Sequence, residues 1–538
     1  MIDSRCVLSI DLYFDDRFFC LGTMHWADVI ARSLISTADN HLISTGISPS
    51  GFIHVGSLRE AITASAIQKA LTGLGAKARL IYLIDSFDPL RKRYPFLPED
   101  FEDEVGRPLS HVKCPCGSHK NYAHHFIQPF LEALDVLGIK PEIYWTHELY
   151  AKGIFADAID TVINAKMKIV EILREVTKRE ISDDYFPYNP RCSSCGKFAD
   201  VEILRYERPF VYYRCKCGND GKADIRKDDG KLPWRIEWAA KWKIFGVTCE
   251  PFGKDHAAAG GSYDTGVRFA QEIFGIKPPF PVPYEFVQLK GKGQMHKSTG
   301  SVITGIDALK ITPAPVLSFT ILRYNPDRHI DYDPGFGILD MVDEYDRIER
   351  LYYKGGAEEK ELDLLRAYEL AQPKFVRTQM PLQVPYRHLV NVVQIADSFE
   401  GVIEILKRTE HISEISQFDA EVLWERVQCV KYWLQHFAPD EVKFSLAMDT
   451  PNIKLDDTES AFLTCLNAAL RDIDWEADTI HNSIYGCAKT SGLPASKAFQ
   501  LLYQIFIKRS SGPRLGYFFS TLDKKFVLAR IESVLRTR

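Results

Sequence analysis

Apolar positions recur three and four residues apart along "LREAITASAIQKALTGLG", and the run closes on glycine, which predicts a helix. The stretch before it, "STGISPSGFIHVGS" from Ser44 to Ser57, follows no such pattern. It is built of Pro, Gly, Ser and one His, small residues that bend a backbone sharply and let a large group come close. A helix start with its N–H groups free after a glycine turn is a ready-made anion site. His54 there offers a hydrogen bond to a phosphate oxygen; an ordinary tight strand-to-helix loop reads the same way. "AKARLIYLIDSFDPLRKRY" then presents the apolar run of a buried parallel strand, with Asp85 and Asp88 at its end. Strand, helix and strand at this spacing make a βαβ unit, and ligands bind at the carboxyl ends of such strands. "GIKPEIYWTHELY" repeats the pattern.

Two cysteine clusters interrupt this rhythm, so residues 95–229 read as an insertion that carries both clusters together with part of the main domain, between a first half of that domain, 24–94, and a second half, 230–338. "KLPWRIEWAAKWKIFGVTCEPFGKDHAAAGGSYDTG" is polar, glycine-rich and aromatic, the character of a pocket lining. From about Leu339 onward, segments such as "HLVNVVQIADSFEGVIEILKR" and "AEVLWERVQCVKYWLQHF" show helical periodicity with few strand candidates. Residues 339–538 are expected to form a separate, mostly helical domain.

Composition narrows the class. The chain has 538 residues, 46% apolar and 26% charged, enough for several domains. Its net charge of −5 means that binding to nucleic acid must come from local basic patches. No apolar run is long enough to span a bilayer. Residues 1–23 mix acids among apolar positions and lack a basic start, unlike a secretory signal. Met24 opens "MHWADVIARSL", a plausible first helix, and residues 1–23 are expected to be a dispensable extension.

Half of the twelve cysteines sit in two short clusters. Cys192, Cys195, Cys215 and Cys217 form a C-x2-C and a C-x-C at zinc-ribbon separation, with glycines that let the knuckles turn. Two disulfides would instead suit a secreted domain. "CPCGSHKNYAHHF" offers Cys114, Cys116, His119, His124 and His125, either a second metal site or a polar surface loop. Downstream, "LKGKGQMHKSTGSVIT" gathers Lys290, Lys292 and Lys297 among glycines, serine and threonine. A basic loop suits a triphosphate, on which charge builds during transfer.

Together these residues carry a resemblance. His54-Val55-Gly56-Ser57 is similar to the HIGH signature of class I aminoacyl-tRNA synthetases, and Gln294-Met295-His296-Lys297-Ser298 to a degenerate KMSKS signature. "GISPSGFIHVGSLRE", "KLPWRIEW", "EPFGKDHAAAGGSYDTG" and the zinc ribbon resemble class I lysyl-tRNA synthetase, the archaeal-type family also found in some bacteria. The resemblance implies an α/β Rossmann-type catalytic domain with a zinc-binding insertion, followed by an all-α anticodon-binding domain. It implies a cytoplasmic, monomeric ligase that joins L-lysine to tRNA(Lys) through lysyl-adenylate, using ATP, Mg2+ and Zn2+. Catalysis would fall to His54, Gly56, Ser57 and Lys297. ATP would meet His54, Gly56, Asp255, Gly260, Gly261, Met295, Lys297 and Ser298, with Gly56 letting adenine approach the backbone. The lysine pocket would draw on Gly46, Ser48, Trp234, His256 and Tyr284. Asp85, Asp88 and Glu237 are acidic candidates for its ammonium; each equally suits a helix cap or a pair with Arg91 or Lys92. In the helical domain, Lys508, Arg509 and Arg514 lie beside aromatics suited to an anticodon loop.

The sequence departs from the family at several points. Ser57 stands where Asn or His is usual, Gln294 replaces the opening lysine of KMSKS, and the closing lysine falls on Thr299. In the first cluster the family's aspartate position falls on Cys114 and its cysteine on Ser118. Cys114, Cys116, His119 and His125 are therefore the expected quartet. The alternative function is a non-catalytic RNA-binding relative with a decayed KMSKS loop, favoured by Gln294 and His296 and opposed by the intact "GKDH". A zinc-ribbon nucleic-acid binder without enzymatic activity leaves the HIGH-like turn unexplained.

Overall fold

The predicted strand–helix–strand unit heads the fold. α1 (Trp26–Ile35) leads into β1 (Asn40–Ile47), α2 (Leu58–Gly73) and β2 (Lys77–Ile84); α3 (Tyr122–Val136) then crosses to β3 (Glu142–Trp145). The computed structural model describes residues 24–198, 201–291, 293–294, 302–449 and 451–536, so the expected extension 1–23 lies outside the described residues. The zinc-ribbon region forms an antiparallel sheet of β4 (Val201–Glu207), β5 (Phe210–Cys215) and β6 (Asp220–Asp224). The chain returns through α4 (Trp234–Phe245), β7 (Cys249–Gly253), α5 (Ser262–Glu272) and β8 (Phe280–Tyr284). A small sheet follows, of β9 (Val287–Leu289), β10 (Gly293–Gln294) and β11 (Ile330–Tyr332).

The main sheet is parallel, in the order β8-β7-β1-β2-β3. Successive strands therefore run outward in both directions from the β1–β7 junction, and the loops that follow those two strands leave on opposite sides of a crevice. This is the topological switch point at which open α/β sheets bind ligands. Residues 41–45 of β1 and 80–84 of β2 are buried as continuous runs, as strands covered on both faces must be.

α2 is buried more completely than its amphipathic spacing predicts. The sheet lies on one side and α1 and the helix Leu362–Ala371 pack on the other, and small residues Ala61, Ala64, Ala66 and Ala70 allow the close approach. Two cations on α2 serve as staples. Lys69 donates to the carbonyls of Leu370 and Gln372 at 2.8 and 2.7 Å, and burial lowers its ammonium to about 8. Arg59, 2% exposed, donates to the carbonyls of Glu285, Phe286, Asn325, Pro326 and Arg328. The start of α2 is thereby tied to the segments that feed the small sheet.

The chain forms two units. One gathers residues up to 308, 317–332 and 354–376; the other gathers 309–316, 333–353 and 377–538. The range 339–538, expected as one helical domain, is thus divided, with 354–376 in the first unit. The second unit is helical, from Tyr386–Val393 to Lys524–Arg536. Phe462, Leu466, Ile484, Leu502, Phe506 and Phe519 form its core. Ser398, Ser416 and Asp456 cap three of its helices by accepting backbone N–H groups. Arg426 and Asp346 make a buried ion pair at 2.9 Å. A disulfide that the sequence reading did not foresee links Cys465 and Cys487. Among the described residues, no single helix is long and apolar enough to cross a membrane.

Candidate functional site

The loop after β1 carries the HIGH-like residues over the switch point. A short 3-10 turn, Val55–Ser57, converts it into α2. The backbone of His54 pairs with that of Thr304, and Val55 N–H donates to Ile303 O at 2.8 Å. The first signature is therefore pinned to the segment just beyond the second. Met295, His296, Lys297 and Ser298 lie outside the described residues, as do Lys292 and Thr299. A Cβ on Gly56 would sit 2.9 Å from His54 Nδ1, so a side chain there would push the imidazole out of its place. Ser57 begins α2 without a side-chain capping hydrogen bond.

The loop after β7 faces the first across the crevice. Residues Lys254–Ala257 form a 3-10 turn that presents Asp255 and His256. Asp255 is 57% exposed and lies 3.8 Å from His256 Nε2, while burial lowers the His256 imidazole. Gly260 adopts φ +74°, and its N–H donates to Asp264 at 2.9 Å. Gly261 follows as the cap of α5. Asp255, Gly260 and Gly261 are thus brought to the switch point opposite His54 through the strand order alone.

An aromatic wall lies behind this loop. Trp234, Trp238 and Trp242 fall four residues apart on α4 and share one face. Their rings follow one another at 5.4 and 5.2 Å, and His256 sits 5.3 Å from Trp234. β8 pairs with β7 so that Tyr284 stands opposite Gly253, next to that turn. Tyr284 donates to Glu60 Oε2 at 2.6 Å, and Gly46 N–H donates to Glu60 Oε1 at 2.9 Å. Burial holds the Tyr284 phenol well above its ordinary range, so it stays a donor. Gly46 and Tyr284, both expected in the pocket, therefore converge on Glu60, a residue the sequence reading passed over. Ser48 lies half-buried at the end of β1.

Asp85, Asp88 and Glu237 do come together, around the chain's own lysines. Lys241 pairs with Asp85 and lies 3.2 Å from Glu237; Lys231 pairs with Asp88 and lies 2.8 Å from Glu237. The partners are not Arg91 or Lys92. All five side chains are buried. Burial raises Asp85 to about 6, whereas for Asp88 the effect of burial is outweighed by Lys231, which holds the carboxyl below its usual range. The network joins the end of β2 to both ends of the segment that opens α4, and so fixes the Trp helix against the sheet.

Both cysteine clusters gather as metal-ligand sets. The six distances among Cys114 Sγ, Cys116 Sγ, His119 Nδ1 and His125 Nδ1 run from 3.3 to 3.8 Å. A zinc tetrahedron with bonds of about 2.0–2.3 Å has edges of about 3.3–3.8 Å. Ser118 in the family's cysteine position is bypassed, because Cys116 occupies that corner. The spare His124 donates to Asn121 Oδ1 at 2.9 Å and stacks on Trp145 at 4.1 Å. In the ribbon, Cys192 and Cys217 stand 3.6 Å apart and Cys195 and Cys215 3.9 Å apart, with no disulfide among them. All four sulfurs lie within 4.8 Å of one another. Asn219 donates to Cys192 Sγ at 3.6 Å, an outer-shell contact that orients a thiolate.

In the second unit, Lys508 and Arg514 are exposed, but Arg509 donates to the carbonyls of Asp440 and Lys443. That guanidinium is engaged by backbone carbonyls and Arg509 is half-buried, whereas the other two basic residues are exposed.

The family model described as tRNA synthetases class I (K) matches residues 24–374. A protein named lysine–tRNA ligase from Picrophilus torridus is 43% identical over 512 residues, 95% of this chain and 99% of that protein. Proteins of the same name from Archaeoglobus fulgidus and Thermoplasma volcanium are 41% and 42% identical, each over 95% of this chain and 100% and 99% of their own lengths. On the combined weight of the model match and these full-length relatives, the chain belongs to the class I (K) tRNA synthetases.

Proposed function

We propose that this protein is an ATP-dependent lysine–tRNA ligase that charges tRNA(Lys) through lysyl-adenylate. The observation that carries the reading is that Gly46 and Tyr284 both donate to Glu60, and that Tyr284 stands opposite Gly253, at the turn whose His256 meets Trp234. A lysine side chain needs flat apolar walls for its stem and an anion for its ammonium. We assign Trp234 and His256 as the walls and Glu60 as the anion. Asp85, Asp88 and Glu237 are left to Lys231 and Lys241.

In the first step a carboxylate oxygen of lysine bonds to the α-phosphorus of ATP, the bond to the bridging oxygen breaks, and pyrophosphate leaves. In the second, a hydroxyl of the terminal ribose of tRNA attacks the carbonyl carbon and AMP leaves. No protein nucleophile enters, so positioning and electrostatics supply the catalysis. Phosphate contacts are assigned to His54 and Lys297, and the N–H groups at the start of α2 add an anion site beside His54. The family's nucleotide contacts are assigned to Ser57, Met295, Ser298, Gly260 and Gly261, and the ribose contact to Asp255. Mg2+, when bound with ATP, neutralises phosphate charge. Cys114, Cys116, His119 and His125 would hold one Zn2+ and the four ribbon cysteines another, and each ion would keep its knuckles folded as structural zinc does. The helical unit takes the anticodon loop, with Lys508 and Arg514 on its phosphates, and the ligase works as a cytoplasmic monomer.

Charging of a tRNA(Lys) transcript with labelled lysine tests this reading. Lysine should be esterified and arginine refused, because a site shaped for a compact ammonium fits a planar guanidinium poorly. Absence of charging with either would remove the proposal.

A further inference from the structure

A carboxyl group that the reaction does not use lies between the aromatic wall and the sheet. Glu250, on β7, is only 7% exposed. Its Oε1 accepts the indole N–H of Trp238 at 2.9 Å, and its Oε2 accepts that of Trp242. Those two indoles are neighbours on the face of α4 that also carries Trp234. Trp238 stacks on Trp234 at 5.4 Å and meets His256 edge-on at 5.7 Å. Phe252, from the same strand as Glu250, closes on Trp238 edge-on at 5.5 Å. An indole in a packed cluster still has a broad choice about χ2, and its N–H is its only polar handle. Hydrogen bonding to that handle selects one ring plane.

We propose that Glu250 is a positioning residue for lysine binding: by holding the Trp238 and Trp242 indoles it fixes the planes of Trp234 and His256 that embrace the substrate's aliphatic stem. This rests on the reading of Trp234 and His256 as pocket walls. The residue type fits the task. Two N–H donors arrive from one helix, one on each oxygen, and only a carboxylate offers an acceptor to both. Glutamine keeps the shape but turns one acceptor into a donor, leaving one buried indole N–H unmet. Burial pushes the Glu250 carboxyl up, and the two indole N–H groups, one on each oxygen, oppose that and favour the carboxylate.

The test compares Glu250→Gln, Trp238→Phe and Trp234→Ala with the parent protein. Lysine-dependent ATP–pyrophosphate exchange gives the KM for lysine and for ATP separately, and thermal unfolding is followed alongside. Glu250→Gln should raise the lysine KM about tenfold, the effect of one lost oriented hydrogen bond, and leave the ATP KM within about twofold. Trp238→Phe, which removes the same bond from the other partner, should show the same split and decides the matter if Glu250→Gln does not fold. If both variants only lower the unfolding temperature, or raise the two KM values equally, Glu250 is structural and the inference falls. If Trp234→Ala raises the lysine KM while the other two leave it unchanged, the pocket stands and the inference alone falls. If Trp234→Ala leaves it unchanged, the pocket reading falls and takes the inference with it.

Discussion

Replacing Glu60 by glutamine probes the amino-acid site with the least disturbance to the fold. The side chain keeps its length, and its amide oxygen can still accept the 2.6 Å hydrogen bond from Tyr284 that the Oε2 atom now accepts. What is lost is the negative charge and one acceptor, the Oε1 atom that receives Gly46 N–H at 2.9 Å. A hydrogen bond to a charged group contributes about 1.5–3 kcal/mol, and 1.4 kcal/mol is a factor of ten. The lysine KM should therefore rise by about 10- to 100-fold with the ATP KM close to that of the parent, while the unmet Gly46 N–H lowers the unfolding temperature by about a few degrees. Tyr284→Phe removes one of the orienting groups and keeps the charge, so its effect should be smaller, about three- to tenfold. Both are read by lysine-dependent pyrophosphate exchange at saturating ATP. A Glu60→Gln enzyme with the parent's lysine KM would refute the assignment of Glu60 and return the ammonium to another acid.

Other changes separate the remaining parts of the account. Lys241→Met leaves Asp85 and Glu237 buried without their shared cation and should destabilise the protein by about 3–5 kcal/mol in chemical denaturation. That loss should deepen as pH rises. Asp85 already sits at about 6, above its unfolded value, and a carboxyl raised in the folded state is most stable protonated, so its contribution fades as pH climbs through the folded value. Metal analysis of folded protein after chelator washing should give two zinc ions per chain, and Cys195→Ser should lower that count by one while loosening the ribbon to proteolysis. Lys297→Ala should lower kcat for adenylate formation by about 100-fold or more with little change in KM, since a charge aimed at transferring phosphates acts on the transition state. Exchange at the parent rate would pass that role to Lys290 or Lys292.

Features that depend on neighbours in the chain were legible in the sequence, and those that depend on distant partners were not. The HIGH-like turn, the strand carrying Asp85 and the two metal quartets are each encoded within a few tens of residues, where spacing alone restricts geometry. Asp85 and Asp88 were visible as acids at a strand end, but their cations lie 156 and 143 residues away, and no periodicity links a lysine to a carboxylate over that distance. Glu60 was hidden for a related reason. On a helix, a glutamate three residues past the turn reads as a first-turn acid, and only the pairing of β8 with β7 brings Tyr284 onto it. The Trp-x3-Trp-x3-Trp spacing of 234, 238 and 242 was a signal of one shared face, and the nearby Glu250 was the natural candidate for their N–H groups. The division of the range 339–538 was beyond the sequence, because residues 354–376 carry the same helical periodicity as their neighbours and differ only in what they pack against. Gly56 was expected to leave room for adenine; the nearest atoms a side chain there would meet are those of the His54 imidazole.

The central claim, activation of lysine at this pocket, is tested most directly by ATP–pyrophosphate exchange on the unmodified protein with each of the twenty amino acids in turn. Exchange that depends on lysine alone, at least about a hundredfold above arginine, is the expected result. Exchange with no amino acid, from folded and zinc-loaded protein, would contradict it.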